Sequence, residues 1–124
     1  MAKVDSYRDL QVWQRAMDLT VSIYGLTGAF PREEQFGLTS QVRRAASSIA
    51  ANIAEGYGRA TRPAYVNFLR IAQGSLKELE THVILAHRLG FVARTESDVI
   101  LDETEQLGRM LRSLIVKLQD SPPR

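Results

Sequence analysis

Four stretches in which apolar residues recur every three to four positions, separated by only a few residues each, constrain this chain more than any other feature. They run from about Tyr7 to Thr27, Pro31 to Tyr57, Arg62 to Leu89 and Glu96 to Gln119, and no strand-like alternation competes with them. The ends carry the residues that helix ends require. Ser6 is placed to cap the first helix, with Asp9 three positions on. Pro31 suits a first turn, Glu33 and Glu34 suit its positive end, Gly37 is a candidate kink, and Gly56 and Gly58 can close the second helix. Thr61 caps the third and Gly90 stops it; Thr95 or Ser97 caps the fourth, which the closing "SPPR" ends. Long helices joined by short connections lie beside their sequence neighbours in opposite directions. The expectation is an all-α, antiparallel up-down four-helix bundle, a single domain over residues 1–124.

The faces of these helices are unequal. On the fourth, Ile100, Leu107, Leu111, Leu114 and Leu118 share one side, with Asp102, Glu105, Arg109 and Arg112 opposite. The second buries Leu38, Val42, Ala45, Ile49 and Ile53. The first is apolar on both sides: Leu10, Trp13, Met17, Val21 and Tyr24 fall on one face, and Val12, Ala16, Leu19, Ile23 and Leu26 nearly opposite. One helix of a monomeric bundle needs a single apolar stripe, and a second stripe must be covered or leave a large exposed patch. Self-association covers it, so a homo-oligomer is expected. The alternative is that loops of the same chain lie over it.

Composition narrows the setting. No run of apolar residues is long enough to span a bilayer, the first residues contain no apolar secretory segment, and there is no cysteine. A cytoplasmic protein without membrane partners is expected. The net charge is only +2, but it is unevenly spread. Residues 43–70 carry Arg43, Arg44, Arg59, Arg62 and Arg70 against Glu55, a net of +4, whereas residues 78–105 carry seven acids against Arg88 and Arg94, a net of −5. Thirteen of the sixteen basic residues are arginine, a side chain suited both to phosphate and to interface carboxylates.

The stretch "SQVRRAASSIAANIAEGYGR", residues 40–59, sets a polar stripe of Gln41, Arg44, Ser48, Asn52 and Glu55 beside the core stripe. On the third helix Asn67, Gly74 and Glu78 lie together, with Arg70 at their edge. Glycine inside a helix costs about 1 kcal/mol against alanine, so close packing is expected at Gly74. One reading makes Gln41, Arg44, Ser48, Asn52, Glu55 and Glu78 an interhelical or intersubunit polar layer, in which Arg44 or Arg43 meets Glu55, Glu78 or Glu80. A second makes Arg44, Asn52 and Glu55 a ligand-binding or catalytic pocket. A third places the arginines on a phosphate-binding surface.

Recognisable reaction chemistry is lacking. The di-iron pattern of bundles needs Glu-x-x-His on two helices. Here both histidines, His82 and His87, are on the third helix; Thr81 and Val83 stand where the pattern would place them after Glu78 and Glu80. His82 follows Glu78 by four, the spacing of a helix-surface contact. No zincin, phosphate-loop, nucleophile-elbow or dinucleotide fingerprint occurs. "GYGR" ends a helix and so lacks the helix N-terminus that cradles phosphate. Trp13 and the tyrosines sit at helical spacing among apolar residues, as core aromatics do. No enzyme activity, metal or cofactor is expected.

"GLTSQVRRAASSIAANIAEGYGR" followed by "YVNFLRIAQGSLKELETHVILAHRLG", and the opening "YRDLQVWQRAMDLTVSIY", resemble the four-helix-bundle family of proteins encoded in intervening sequences of 23S rRNA genes. The resemblance rests on Gln41, Arg43, Arg44, Ala45, Ser48, Ile49, Asn52, Ile53, Ala54, Glu55 and Gly56, and on Gly74, Ser75, Leu76, Glu78 and Leu79. It implies an antiparallel bundle and a ring-like homopentamer, in agreement with the two-faced first helix, and it does not imply an enzyme. A protein of similar fold accompanies reverse transcriptases in diversity-generating retroelements and acts there as a basic, nucleic-acid-binding pentamer. The resulting expectation is a non-enzymatic, self-assembling bundle that binds RNA or DNA through Arg43, Arg59, Arg62 and Arg70. The alternatives are an oligomeric scaffold for a protein partner and, more weakly, a small-ligand binder or enzyme using Arg44, Asn52 and Glu55.

Overall fold

A computed structural model describes residues 4–120. It contains α1 (Gln11–Thr27), α2 (Leu38–Tyr57), α3 (Arg62–Arg88) and α4 (Arg94–Asp120), and no strand among the described residues. α1 packs on α2, α2 on α3, α3 on α4 and α4 back on α1, while the diagonal pairs stay apart. The result is a four-helix bundle around one continuous apolar core. The stripe expected on α2 is buried in full: Leu38, Val42, Ala45, Ile49 and Ile53 all lie inside. Leu19 and Ile23 from α1, Leu69, Leu76 and Leu79 from α3, and Leu107 and Leu111 from α4 meet it. Each such side chain contributes about 1.5–3 kcal/mol by leaving water.

The helix ends correct the sequence reading in three places. The first helix does not run unbroken from Tyr7. Tyr7–Asp9 is a single 3₁₀ turn held by a capping box between Ser6 and Asp9, and Leu10 is extended (φ −74°, ψ 127°) before α1 begins. The second helix does not start at Pro31. Arg32–Glu34 is another 3₁₀ turn, and Gly37 (φ −107°, ψ −114°) redirects the chain into α2. The Glu34 Oε1 then accepts from the Leu38 N–H at 3.1 Å, so a side chain caps α2 across the break. α4 begins at Arg94, before either expected cap. There the Ala93 N–H donates to Glu96 Oε1 at 3.3 Å, and Ser97 faces the interior at 4% exposure.

Two ends follow the sequence closely. Thr61 accepts from the Ala64 N–H at 3.2 Å and opens α3 with Pro63 in its first turn. α3 closes on Gly90, whose φ of +79° is left-handed. The Phe91 N–H returns to the Ala86 carbonyl at 2.9 Å and the Gly90 N–H to the His87 carbonyl at 3.0 Å, the bond pair of a Schellman end. Phe91 then packs on Phe30, ring centroids 5.8 Å apart.

α2 and α3 approach closely at Gly56. A Cβ there would lie 2.8 Å from Phe68 Cβ and 3.2 Å from the Tyr65 carbonyl oxygen, so only glycine admits this crossing. Gly74 is different: a Cβ added to it would meet nothing within 4 Å. The packing expected there is absent within the protomer.

Candidate functional site

The polar stripe of α2 resolves into separate small contacts. Ser48 Oγ and Ser75 Oγ are 2.9 Å apart and join α2 to α3. Asn52 turns back along its own helix and donates from Nδ2 to the Ser48 carbonyl (2.8 Å) and Ser48 Oγ (3.0 Å). The carboxylates do not find the arginines expected for them. Glu55 accepts from Arg59 Nη2 at 2.8 Å, one turn on, with about half of each side chain exposed. Glu78 lies 3.6 Å from His82 Nε2 on the same helix. Glu80 takes Lys77 at 3.0 Å and the Thr104 hydroxyl of α4 at 2.7 Å. Gln41 and Arg44 are exposed. Local i,i+3 and i,i+4 geometry brings these partners together. Across helices, within the protomer, only Ser48 carries the stripe.

The arginines separate along the bundle. Arg43 is half-buried against α1: Nε donates to Thr27 Oγ1 at 2.8 Å, and the guanidinium sits 4.5 Å from the centre of the Tyr24 ring. Arg59 and Arg62 flank the turn between α2 and α3. The Arg59 guanidinium stacks 4.7 Å from the Phe68 ring while it pairs with Glu55. Arg62 is half-buried at the start of α3, and Arg70 is exposed about 12 Å further along that helix. Arg59 and Arg62 therefore share the α2–α3 end, with Arg70 about two turns along α3. Arg43, sixteen residues from Arg59 on or beside α2, stands about 24 Å from it along the helix direction.

Beside this group lies a polar atom with no partner. Tyr65 Oη is buried without a hydrogen bond among the described residues. Burial, with Tyr57 beside it, pushes the Tyr65 hydroxyl up to about 12. The two rings meet edge to face, 6.1 Å between centroids.

The second stripe of α1 divides. Leu10 and Trp13 pack against the core, whereas Met17, Val21 and Tyr24 are 40%, 70% and 49% exposed. No loop of the described chain buries them. Ile71 and Leu85 on α3 and Leu89 just past its end are also exposed, as are Ser47 and Ala51 on α2. Phe36, which the sequence reading did not single out, is 90% exposed beside Gly37. The available signal was an aromatic in a segment with no helical partner for it. Open grooves flank α4, one with α1 (about 540 Å³) and one with α3 (about 500 Å³), and neither includes Arg44, Asn52 or Glu55 in its lining. Among the described residues no three His, Asp or Glu side chains stand together as metal ligands, and no helix is long and apolar enough to cross a membrane.

The family model described as 23S rRNA-intervening sequence protein matches residues 8–113. A crystal structure from Bacteroides thetaiotaomicron, described as a protein with unknown function from the S23 ribosomal protein family, superposes with a TM-score of 0.75 at 25% identity, covering 84% of this chain and 97% of its own. No curated protein matches the chain.

Proposed function

Because the chain belongs to the family of 23S rRNA-intervening sequence proteins, we propose that it is a non-enzymatic, self-assembling bundle that binds RNA or DNA by phosphate contacts at one end. The observation that carries this reading is the separation of its charges. The reading takes the bundle as up-and-down. In support, Ser48 meets Ser75 while Gly56 meets Tyr65 and Phe68, so rising numbers on α2 face falling numbers on α3. Thr104 against Glu80 and Gly108 against Leu76 repeat the relation on α4. The α2–α3 turn with Arg59 and Arg62 then lies at one end, and the acids of residues 78–105 run from the middle of α3, past the α3–α4 turn, to the middle of α4. Glu78, the first of these acids, is sixteen residues or about 24 Å of helix from Arg62, three times the Debye length of about 8 Å at physiological salt, but only eight residues or about 12 Å from Arg70. These acids therefore leave the field around Arg59 and Arg62 largely intact and weaken it at Arg70.

Self-assembly rests on the exposed side of α1. Met17, Val21 and Tyr24 form a continuous apolar ridge, and Ser47 and Ala51 on α2 are small enough for a neighbouring helix to approach. A ring, five-fold by family resemblance, repeats the arginine group once per subunit and turns weak contacts into avidity. Sedimentation tests the assembly: a single species several times 13.9 kDa is expected, and a monomer at micromolar concentration overturns it. Binding is tested by anisotropy with short RNA and DNA duplexes at low and moderate salt. Affinity should fall with a log–log slope of about −0.9 per DNA phosphate contacted, and Arg59→Glu/Arg62→Glu should abolish it. Binding indifferent to that double variant excludes the arginine end as the site.

A second reading, a scaffold for a protein partner, is favoured by the groove between α1 and α4.

A further inference from the structure

We infer that the groove between the start of α1 and the second half of α4 is a docking site for an acidic, amphipathic helix of a partner protein. This goes beyond the nucleic-acid reading and does not depend on the arginines of the α2–α3 turn. The groove is open, about 540 Å³, with Leu10, Val12, Met110 and Leu114 in its lining, together with Arg15 and Arg109. On α4, Gln106, Met110, Ser113 and Lys117 border it at spacings of four, three and four, one continuous strip along the helix. From Gln106 to Lys117 this strip is about 16 Å long, three turns of a docked helix.

The cations tell the chemistry of the occupant. Arg15 Nη2 bonds the neutral Gln106 Oε1 at 3.1 Å, which leaves its charge uncompensated by that contact. Arg109 holds Glu105 at 2.9 Å, an exposed pair one turn apart. Such pairs are worth little and exchange readily for a better-placed carboxylate. A polyphosphate would use the cations and gain nothing from Leu10, Val12, Met110 and Leu114. A neutral apolar helix would use the floor and ignore the cations. An amphipathic helix with leucines on one face and glutamates beside them uses both, in the helix-in-groove mode. Charge complementarity and an open, elongated shape together select it over a small ligand, which is usually enclosed on most of its surface.

The test uses the intact protein and a synthetic, fluorescent helix of about 15 residues with a leucine stripe flanked by glutamates. Anisotropy should show saturable binding, and the same peptide with lysines in place of glutamates should not bind. Arg15→Glu/Arg109→Glu should weaken binding at least tenfold. Ser113→Trp, at an exposed position in the groove lining, should abolish it with the melting temperature unchanged. Arg59→Glu/Arg62→Glu should leave it unaltered, so that failure here and failure of the nucleic-acid reading remain distinct. Three results overturn the inference: equal weakening by Arg59→Glu/Arg62→Glu, which means diffuse charge attraction; duplex DNA held through Arg15 and Arg109 while the peptide is not bound; or dissociation of the assembly by Ser113→Trp, which makes the groove a contact between copies of this chain.

Discussion

α3 is packed in two different ways. Toward α2 it presents Tyr65 and Phe68 to Gly56 and Ser75 to Ser48, and backbone nearly touches side chain at Gly56. Toward α4 it leaves an open groove of about 500 Å³ lined by Gln73, Leu76, Lys77, Gly108 and Arg112 among others. There the Leu76 methyl would stand 3.4 Å from a Cβ at Gly108, ordinary contact distance. One side is fixed by close approach; the other joins buried apolar side chains of both helices, with one hydrogen bond between them, Thr104 to Glu80, among the described residues. The difference predicts that equally small substitutions have unequal consequences on the two sides.

The largest effect is expected at Gly56. An added methyl meets Phe68 Cβ and the Tyr65 carbonyl, atoms that cannot move without displacing α3 itself. Gly56→Ala should lower stability by about 1–3 kcal/mol, as overpacking does, despite alanine's better helix propensity. A urea midpoint unchanged from the parent would show that α2 and α3 separate freely.

On the looser side Thr104 is fully buried, and its hydroxyl donates to Glu80 Oε2 at 2.7 Å. Thr104→Val keeps the shape and removes the donor. A hydrogen bond to a charged group is worth about 1.5–3 kcal/mol, and Lys77 still compensates Glu80, so a loss toward the lower end is expected in chemical denaturation. Loss of more than that would mean that this bridge, rather than apolar packing, holds α4.

Tyr65 should respond in the opposite direction. Its Oη is buried without a partner, so Tyr65→Phe removes a desolvated hydroxyl and should raise stability by about 1 kcal/mol. The same group gives a pH signature. An unfolded tyrosine ionises near 10, whereas Tyr65 in the fold keeps its proton until about 12. Between those values the unfolded chain binds fewer protons, so stability falls as pH rises through this window. Melting curves from pH 9 to 12 should show that slope in the parent and less of it in Tyr65→Phe.

Much of this was legible in the sequence and some was not, for physical reasons. The apolar stripe of α2, the Ser6–Asp9 capping box, the Thr61 cap and the stop at Gly90 are local patterns, and local patterns determined them. The breaks before α1 and α2 were missed because 3₁₀ turns use the same residue types as a first helical turn; Gly37 was read as a kink when it redirects the chain. Helical spacing correctly put Glu55, Asn52 and Ser48 on one stripe, but it could not choose among partners within reach. Arg59 lies one turn from Glu55, whereas Arg43 and Arg44 stand about three turns away on the same helix, out of reach within the protomer. The grooves beside α4 arise from how two helices diverge, which no single helix encodes.

Gly74 sharpens the contrast with Gly56. It is exposed, and a methyl there would meet nothing within the protomer. Gly74→Ala should therefore stabilise the protomer by roughly 0.5–1 kcal/mol. If the same substitution instead loosens the assembly in sedimentation, another subunit packs against that bare backbone, and the close approach inferred from the sequence lies between subunits.

The smallest effect is expected at Glu55. The carboxylate pairs with Arg59 one turn away, and about half of each side chain faces water. Pairs of this kind contribute about 0.3–0.5 kcal/mol and are screened by salt. Glu55 also sits in the last turn of α2, where the carbonyl end of the helix repels an anion, so removing it recovers part of what the pair supplied. Glu55→Ala should shift the melting temperature by no more than a degree or so, roughly 0.3 kcal/mol or less in net. Its effect on binding runs the other way. The substitution removes the one acid beside Arg59, so an RNA or DNA duplex should bind the variant more tightly, with a steeper salt dependence. A loss of stability above about 1 kcal/mol, or a smaller assembly, would mean that Glu55 also meets an arginine of a neighbouring subunit, because only a buried partner makes a single carboxylate that costly to lose.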